Sequence, residues 1–309
     1  MTLLHVSLRR VVVVLVAIVG AAVIAAGASS ALVETAAGHS VALTTNYVAL
    51  SAVPGLDVPV QLTVPSPLDK HRPARVLVVL HGMGGNGPAI AAPFIESAVA
   101  HGWVVVAPTF VYGDWRDVNE VRKDDAKVLP ALKVVLDGLP ARVGAPVETR
   151  VLVYGFSRGA QVAHRFAFFY PERVSAVAAF SAGTYTVPMA SLQDGSTDDL
   201  SFPYGVADLE RYTGESFRPE SLRNVHFLIG VGRDDNSPAD VPRSWDRLIG
   251  SCRSDRAAAF TAALQEEGIP AQLQQFAQAK HEQTAEMHAA AIAFLADVAD
   301  GSTSPYDLP

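Results

Sequence analysis

Residues 75–80, 103–107, 150–154, 174–181 and 224–231 are short, nearly continuous runs of valine, leucine, isoleucine and alanine, as in Arg75-Val-Leu-Val-Val-Leu80 and Trp103-Val-Val-Val-Ala107. Runs this short and this uniformly apolar are expected of strands covered on both faces, because a strand with one wet face alternates polar and apolar residues. Stretches with helical spacing fall between them at 89–100, 118–136 and 160–170, and the series closes with a helix at 256–267, a strand at 271–276 and a helix at 282–298. Strands that alternate with helices demand a mostly parallel sheet with helices on both faces, an α/β fold. Pro130 is expected to break or kink the 118–136 helix. Residues 41–50 and 58–64 read as an antiparallel lead-in hairpin, with Pro59 and Pro65 placing its second strand near an edge.

The chain has 309 residues, half of them hydrophobic and 18% charged, which excludes a disordered acidic chain and suffices for a core without disulfide staples. A net charge of −7 and an isoelectric point near 5.7 exclude a nucleic-acid binder that neutralises phosphates with a basic face. Cys252 is the single cysteine, so no intramolecular disulfide can form, and it reads as an inert thiol. The mean hydropathy of +0.23 is high, and residues 11–26 account for much of it. This apolar run follows Arg9 and Arg10 and ends on Ala26-Gly27-Ala28, the pattern of a signal peptide spanning 1–28. Extending the run through 11–33 gives the alternative, an uncleaved membrane anchor. Either way the remainder is expected outside the cytoplasm: secreted, periplasmic or at the cell surface, with membrane contact only if the leader is retained. One domain over 41–299 and a frayed tail over 300–309 are expected. Residues 184–222, rich in Gly, Pro, Ser and Asp and carrying Tyr185, Phe202, Tyr204, Tyr212 and Phe217, read as a lid-like insertion.

Chemistry concentrates at Val151-Leu-Val-Tyr-Gly155-Phe-Ser157-Arg-Gly159-Ala160, where a strand runs through Gly-x-Ser-x-Gly into a helix. A serine on so tight a turn is lifted above the sheet, and small residues must flank it because the backbone closes on itself. The amide of Arg158 then points to where an oxyanion would form. After the strand ending at Leu80, His81-Gly82-Met83-Gly84-Gly85-Asn86-Gly87 lacks the Gly-Lys-Ser/Thr ending of a phosphate-binding loop. Its place suits a second oxyanion donor, the Met83 amide, with His81 holding the loop by hydrogen bonds.

A serine hydroxyl needs a histidine to take its proton and a carboxylate to orient that histidine. Of nine histidines, His281 follows the last predicted strand, where a loop can carry it over the sheet's carboxyl edge. His164 and His226 read as packing residues and His288 as part of a helix surface. For the carboxylate, Asp235 leads in Gly232-Arg233-Asp234-Asp235-Asn236, with Asp234 as its rival and Asp240 and Asp246 behind. His281-Glu282-Gln283-Thr284-Ala285 begins like a zinc-protease motif, but Ala285 stands where the second histidine must be, so no metal is implied. The aromatics at 166–170 read as core, while Tyr112 and Trp115 are the candidates for contacting substrate.

At Gly155-Phe-Ser157-Arg-Gly159, at His81-Gly82 after a strand, and in the chain order Ser157, Asp235, His281, the chain resembles the α/β-hydrolase superfamily. Within it, Leu80-His81-Gly82-Met83-Gly84-Gly85-Asn86 and Phe180-Ser181-Ala182-Gly183 are similar to secreted esterases of the polyhydroxyalkanoate depolymerase and feruloyl esterase type. The resemblance implies an α/β-hydrolase fold and a serine hydrolase needing neither cofactor nor metal. Its substrate is expected to be a small-molecule or polymeric carboxylic ester, neutral or weakly polar. A serine peptidase or amidase of the same fold and a catalytically silent binding protein are the alternatives.

Overall fold

The computed structural model describes residues 28–34, 40–53, 56–192 and 199–301. All of the expected leader except Ala28, and the tail beyond Gly301, lie outside the described residues. One sheet of nine strands organises the rest: β1 (Ala28–Glu34), β2 (Ser40–Val53), β3 (Leu56–Ser66), β4 (Val76–Leu80), β5 (Val104–Pro108), β6 (Val151–Phe156), β7 (Val174–Phe180), β8 (His226–Gly232) and β9 (Ala271–Phe276). Their spatial order is 1-2-3-5-4-6-7-8-9. The pairs β1–β2, β2–β3 and β3–β5 are antiparallel, and every pair from β5–β4 to β8–β9 is parallel. The short apolar runs are thus the parallel strands. β1 joins them as a strand the sequence pattern did not suggest.

Successive side chains of a strand point to opposite faces, and both faces here are covered. Val76, Val78 and Leu80 of β4 pack with Val128 and Leu132 of the helix α3 (Val118–Asp137) and with Phe166 of α5 (Arg158–Phe169). Leu77 and Val79 pack with Phe94 and, from α9 (Ala285–Ala299), with Met287 and Leu295. In chain order the helices are α1 (Gly87–Ala91), α2 (Ile95–Ala100), α3 (Val118–Asp137), α4 (Leu139–Val143), α5 (Arg158–Phe169), α6 (Glu210–Thr213), α7 (Asp246–Ile249), α8 (Arg253–Glu266) and α9 (Ala285–Ala299). Among the described residues, no helix is long and apolar enough to cross a membrane.

Three expectations are corrected. β3 is interior: it pairs with β2 on one side and, over Val60 to Thr63, with β5 on the other. Pro59 and Pro65 lie just outside that doubly paired stretch, so neither has to donate to the β5 ladder. Pro130 does not end α3, which runs for 20 residues through it. Burial of Val128, Leu129, Ala131, Leu132 and Val135 against the sheet outweighs a proline cost of about 3 kcal/mol, since each such side chain contributes about 1.5–3 kcal/mol. Pro93, by contrast, divides the expected 89–100 helix into α1, a short 3₁₀ turn and α2.

In the segment 184–222, expected to be a lid-like insertion, the described aromatics pack against the core. Its described part holds α6 and a 3₁₀ turn and adds Tyr185, Val187, Phe202, Val206, Leu209 and Leu222 to the core. The Tyr185 ring stacks on Phe260 of α8 at 4.4 Å. Phe202 meets Phe169 of α5 edge-on at 5.2 Å. Trp245 Nε1 donates to the Tyr185 carbonyl at 2.9 Å. Large aromatics bury more area than any other side chain, so these rings tie the segment down. Phe260→Ala removes the ring beneath Tyr185 and is expected to lower stability by about 3–5 kcal/mol. Guanidinium unfolding checks this, with a smaller loss expected if the insertion contributed nothing to the core.

Candidate active site

The order of the strands decides where a ligand can sit. β5 lies on one side of β4 and β6 on the other, so the chain reverses its direction of winding at β4 and the loops leaving β4 and β6 part to open a crevice. Leu80 pairs with Gly155 at the carboxyl ends of these strands. The His81–Gly87 loop and Ser157 therefore emerge side by side, and a Cβ on Gly82 would stand 3.2 Å from that of Ser157.

Ser157 occupies a backbone conformation that non-glycine residues rarely adopt, with φ of 55° and ψ of −115°. Two contacts impose it. A Cβ on Gly155 would lie 2.3 Å from the Gly159 carbonyl oxygen, and one on Gly159 would lie 2.1 Å from that of Leu80. Only glycine lets the strand, the turn and α5 close to these distances. The Ser157 amide donates to the Phe180 carbonyl at 2.8 Å, which pins the turn to β7.

On the far side the loops after β8 and β9 are locked by backbone bonds from Arg233 to Phe276 and from Asp234 to Ala279, at 2.8 and 3.0 Å. This lock brings Asp235 and His281 together. His281 Nδ1–H donates to Asp235 Oδ2 at 2.9 Å, and its Nε2 lies 3.0 Å from Ser157 Oγ, placed to accept from the hydroxyl. The ring stacks on Phe156, centroids 5.1 Å apart. Asp234, the rival carboxylate, is exposed and uses its amide for the Ala279 bond. Asp246 pairs instead with Arg243 and Arg256. Asp235 Oδ1 accepts from Arg253 Nη1 at 3.0 Å, a partner the sequence did not suggest. Burial alone would raise the Asp235 carboxyl, but the His281 hydrogen bond and the Arg253 charge outweigh it and hold the group below its ordinary value.

Among the other histidines, His81 Nδ1–H donates to the Gly82 carbonyl at 2.6 Å, and its Nε2 accepts from the Phe110 amide at 3.0 Å. Burial lowers its pKa, and the neutral ring holds the loop that carries Met83. His164 is buried within α5, and His288 packs edge-on to Phe94 at 5.3 Å, half-buried where an open surface was expected. The Met83 and Arg158 amides enter none of the backbone hydrogen bonds seen among the described residues outside the regular elements.

Two clefts flank Ser157. One of about 210 Å³ is lined by Trp115, Gln161, Gly183 and Arg253 along with Ser157 and His281. The other, about 430 Å³, is walled by the His81–Asn86 loop and Phe156. A larger cleft of about 700 Å³ beside Phe168 and Phe217 contains none of Ser157, Asp235 and His281. Trp115 thus stands where a substrate contact was expected. Tyr112 does not: its hydroxyl is buried without a partner among the described residues, and its ring lies 4.8 Å beneath the Arg158 guanidinium.

That guanidinium belongs to a buried network beside Ser157. Asp125 of α3 accepts from Arg158 Nη2 and from Arg165 Nη1, each at 2.7 Å. Arg165 also donates to the hydroxyls of Thr186 and Thr184 at 2.9 and 2.8 Å. Asp125 was legible in principle, because it falls on the apolar stripe of Val121, Val128 and Leu132, and a carboxylate on such a stripe needs a cation beside it.

No protein-family model matches the chain, and no curated protein matches it by sequence. Solved structures do match in shape. Poly(aspartic acid) hydrolase-1 from Sphingomonas sp. KT-1 has a TM-score of 0.63 at 19% identity, covering 81% of this chain and 98% of its own. A poly(3-hydroxybutyrate) depolymerase from Bordetella parapertussis has a TM-score of 0.59 at 22% identity over 86% and 91%. A ferulic acid esterase has a TM-score of 0.53 at 18% identity over 88% and 98%.

Two outcomes test this geometry. Asp125→Ala leaves two buried guanidinium groups without their shared carboxylate, and an unfolding free energy lower by about 3–5 kcal/mol is expected. Because the folded Asp235 carboxyl lies below its unfolded value, its contribution is complete above about pH 4 and is lost as pH falls through the folded value. The stability gap between wild type and Asp235→Asn is therefore expected to shrink below about pH 4 in unfolding curves taken from pH 3 to 7.

Proposed function

On the α/β-hydrolase fold that this chain has, we propose an exported serine hydrolase that cleaves a carboxylic ester through an acyl-enzyme intermediate. One observation carries the reading: His281 bridges Ser157 Oγ and Asp235 Oδ2 at 3.0 and 2.9 Å, at the carboxyl edge of the sheet. Ser157 Oγ attacks the ester carbonyl carbon while His281 Nε2 takes the hydroxyl proton. The carbonyl oxygen becomes an oxyanion held by the Met83 and Arg158 amides, each such donor being worth about 3 kcal/mol. When the tetrahedral intermediate collapses, the ester C–O bond breaks and His281 returns the proton to the departing alcohol. Water, deprotonated by the same nitrogen, then attacks the acyl carbon; the bond from that carbon to Ser157 Oγ breaks, His281 returns the proton to Oγ, and the acid is released. Asp235 keeps the Nδ1–H tautomer in place and stabilises the imidazolium formed at each step. No step calls for a metal or a cofactor.

The choice of an ester is supported by the names of two proteins similar in shape, the poly(3-hydroxybutyrate) depolymerase and the ferulic acid esterase. Export rests on the residue pattern at 9–28. A fluorophosphonate probe is expected to label the intact protein at Ser157 and to leave Ser157→Ala unlabelled. Asp235→Asn should lower kcat by about four orders of magnitude while Asp234→Asn changes it little. Amide turnover exceeding that of matched esters would replace the esterase reading with a peptidase. A protein that the probe does not label would be a silent binding fold. Intact mass of the labelled protein from its native compartment reads leader cleavage at the same time.

A further inference from the structure

The 210 Å³ cleft beside Ser157 has a wall of hydrogen-bond donors whose partners are incomplete. Arg253 is 7% exposed. It spends Nη1 on Asp235 and Nη2 on the Asp240 carbonyl, and its Nε is buried with no partner among the described residues. Gln161, also buried, turns its Oε1 toward Arg165 Nη1 at 3.5 Å, which leaves its Nε2 to the cleft. The two groups converge on Gly183: a Cβ there would lie 3.3 Å from Gln161 Nε2 and 3.9 Å from Arg253 Nε. Gly183, which has no side chain, thus lies against one guanidinium N–H and an amide NH2 on the wall of the cleft. Both groups only donate, so the complementary atom is an oxygen. Leaving a buried N–H unmatched is costly, and a charged acceptor satisfies it best.

Charge selects among oxygen groups. The buried charged side chains described are four arginines, Arg158, Arg165, Arg253 and Arg256, against two aspartates, Asp125 and Asp235. Half-buried Asp246 answers Arg256, and Arg158 and Arg165 share the one carboxylate of Asp125. These buried charges thus sum to an excess of positive charge, and exposed Asp240 is the acid among the residues that line the cleft. From this we infer that the cleft binds a carboxylate carried by the substrate, so that the enzyme prefers esters with a short anionic arm. The inference rests on the serine hydrolase reading and specifies its substrate class, in place of the neutral ligand expected from the sequence. The cleft lies below the 300–1,000 Å³ range of ordinary ligand pockets, which limits the arm to a few carbons.

The test uses chromogenic esters in matched pairs, one member ending in a carboxylate and the other in its methyl ester, with the arm on the acyl side in one series and on the alcohol side in the other. In one of the two series the wild type is expected to favour the carboxylate by about tenfold to hundredfold in kcat/KM, most of it in KM. Gln161→Leu removes a donor and Gly183→Ala sets a methyl group against both donors, and each is expected to bring that ratio toward one. Two variants are used so that misfolding of either does not decide the result. Turnover of both members without preference in either series overturns the inference and leaves the hydrolase reading intact. Absence of any turnover, together with absence of fluorophosphonate labelling at Ser157, overturns both.

Discussion

Everything at the site depends on one close approach of backbone to backbone. β6, the turn at Ser157 and the start of α5 are packed so tightly against the end of β4 that Gly155 and Gly159 have no room for a side chain. That contact holds Ser157 at a positive φ, which costs on the order of 1–3 kcal/mol in isolation. The surrounding sheet over-determines it: the Ser157 amide is held by Phe180, β6 is flanked by β4 and β7, and α5 is buried along its whole length. The strain has a chemical result, because the serine hydroxyl is lifted off the sheet toward His281 while Gly82 is brought against it.

A second layer of control lies in the arginines. Asp125 ties α5 to α3 through Arg158 and Arg165, so the helix that begins after Ser157 is anchored by charge as well as by apolar packing. Replacing one partner of such a buried set leaves the other charges unsatisfied, which makes the network sensitive even where its net contribution to stability is small. Arg253 plays the corresponding part on the other side. It grips the Asp235 carboxylate with one nitrogen and the Asp240 carbonyl with another, so the geometry of the acid and the wall of the small cleft depend on a single side chain.

Much of the architecture was legible in sequence because it rests on local period. The parallel strands were readable as apolar runs, since a strand covered on both faces has no polar positions to alternate. The Gly-x-Ser-x-Gly turn was readable because its geometry excludes every side chain at two fixed positions. What misled were features whose outcome depends on distant partners. Pro59 and Pro65 suggested an edge, yet β5 pairs only with the residues between them. The aromatics of 184–222 gave no sign of their partners, which are Phe169, Trp245 and Phe260. Tyr112 looked available to substrate until Arg158 covered its ring.

The sequence by itself therefore determined the order of strands and helices, the turn at Ser157 and the places along the chain where a base and an acid could follow a strand. Only the tertiary structure decided that β4 sits between β5 and β6, which sets the His81 loop beside the serine. It also decided that Asp235 and not Asp234 meets His281, and that Arg253, Gln161 and Gly183 share one wall. The reason is physical: local conformation follows from a few neighbouring residues, whereas a side chain's partner depends on which strand ends the sheet brings within a few ångströms of each other.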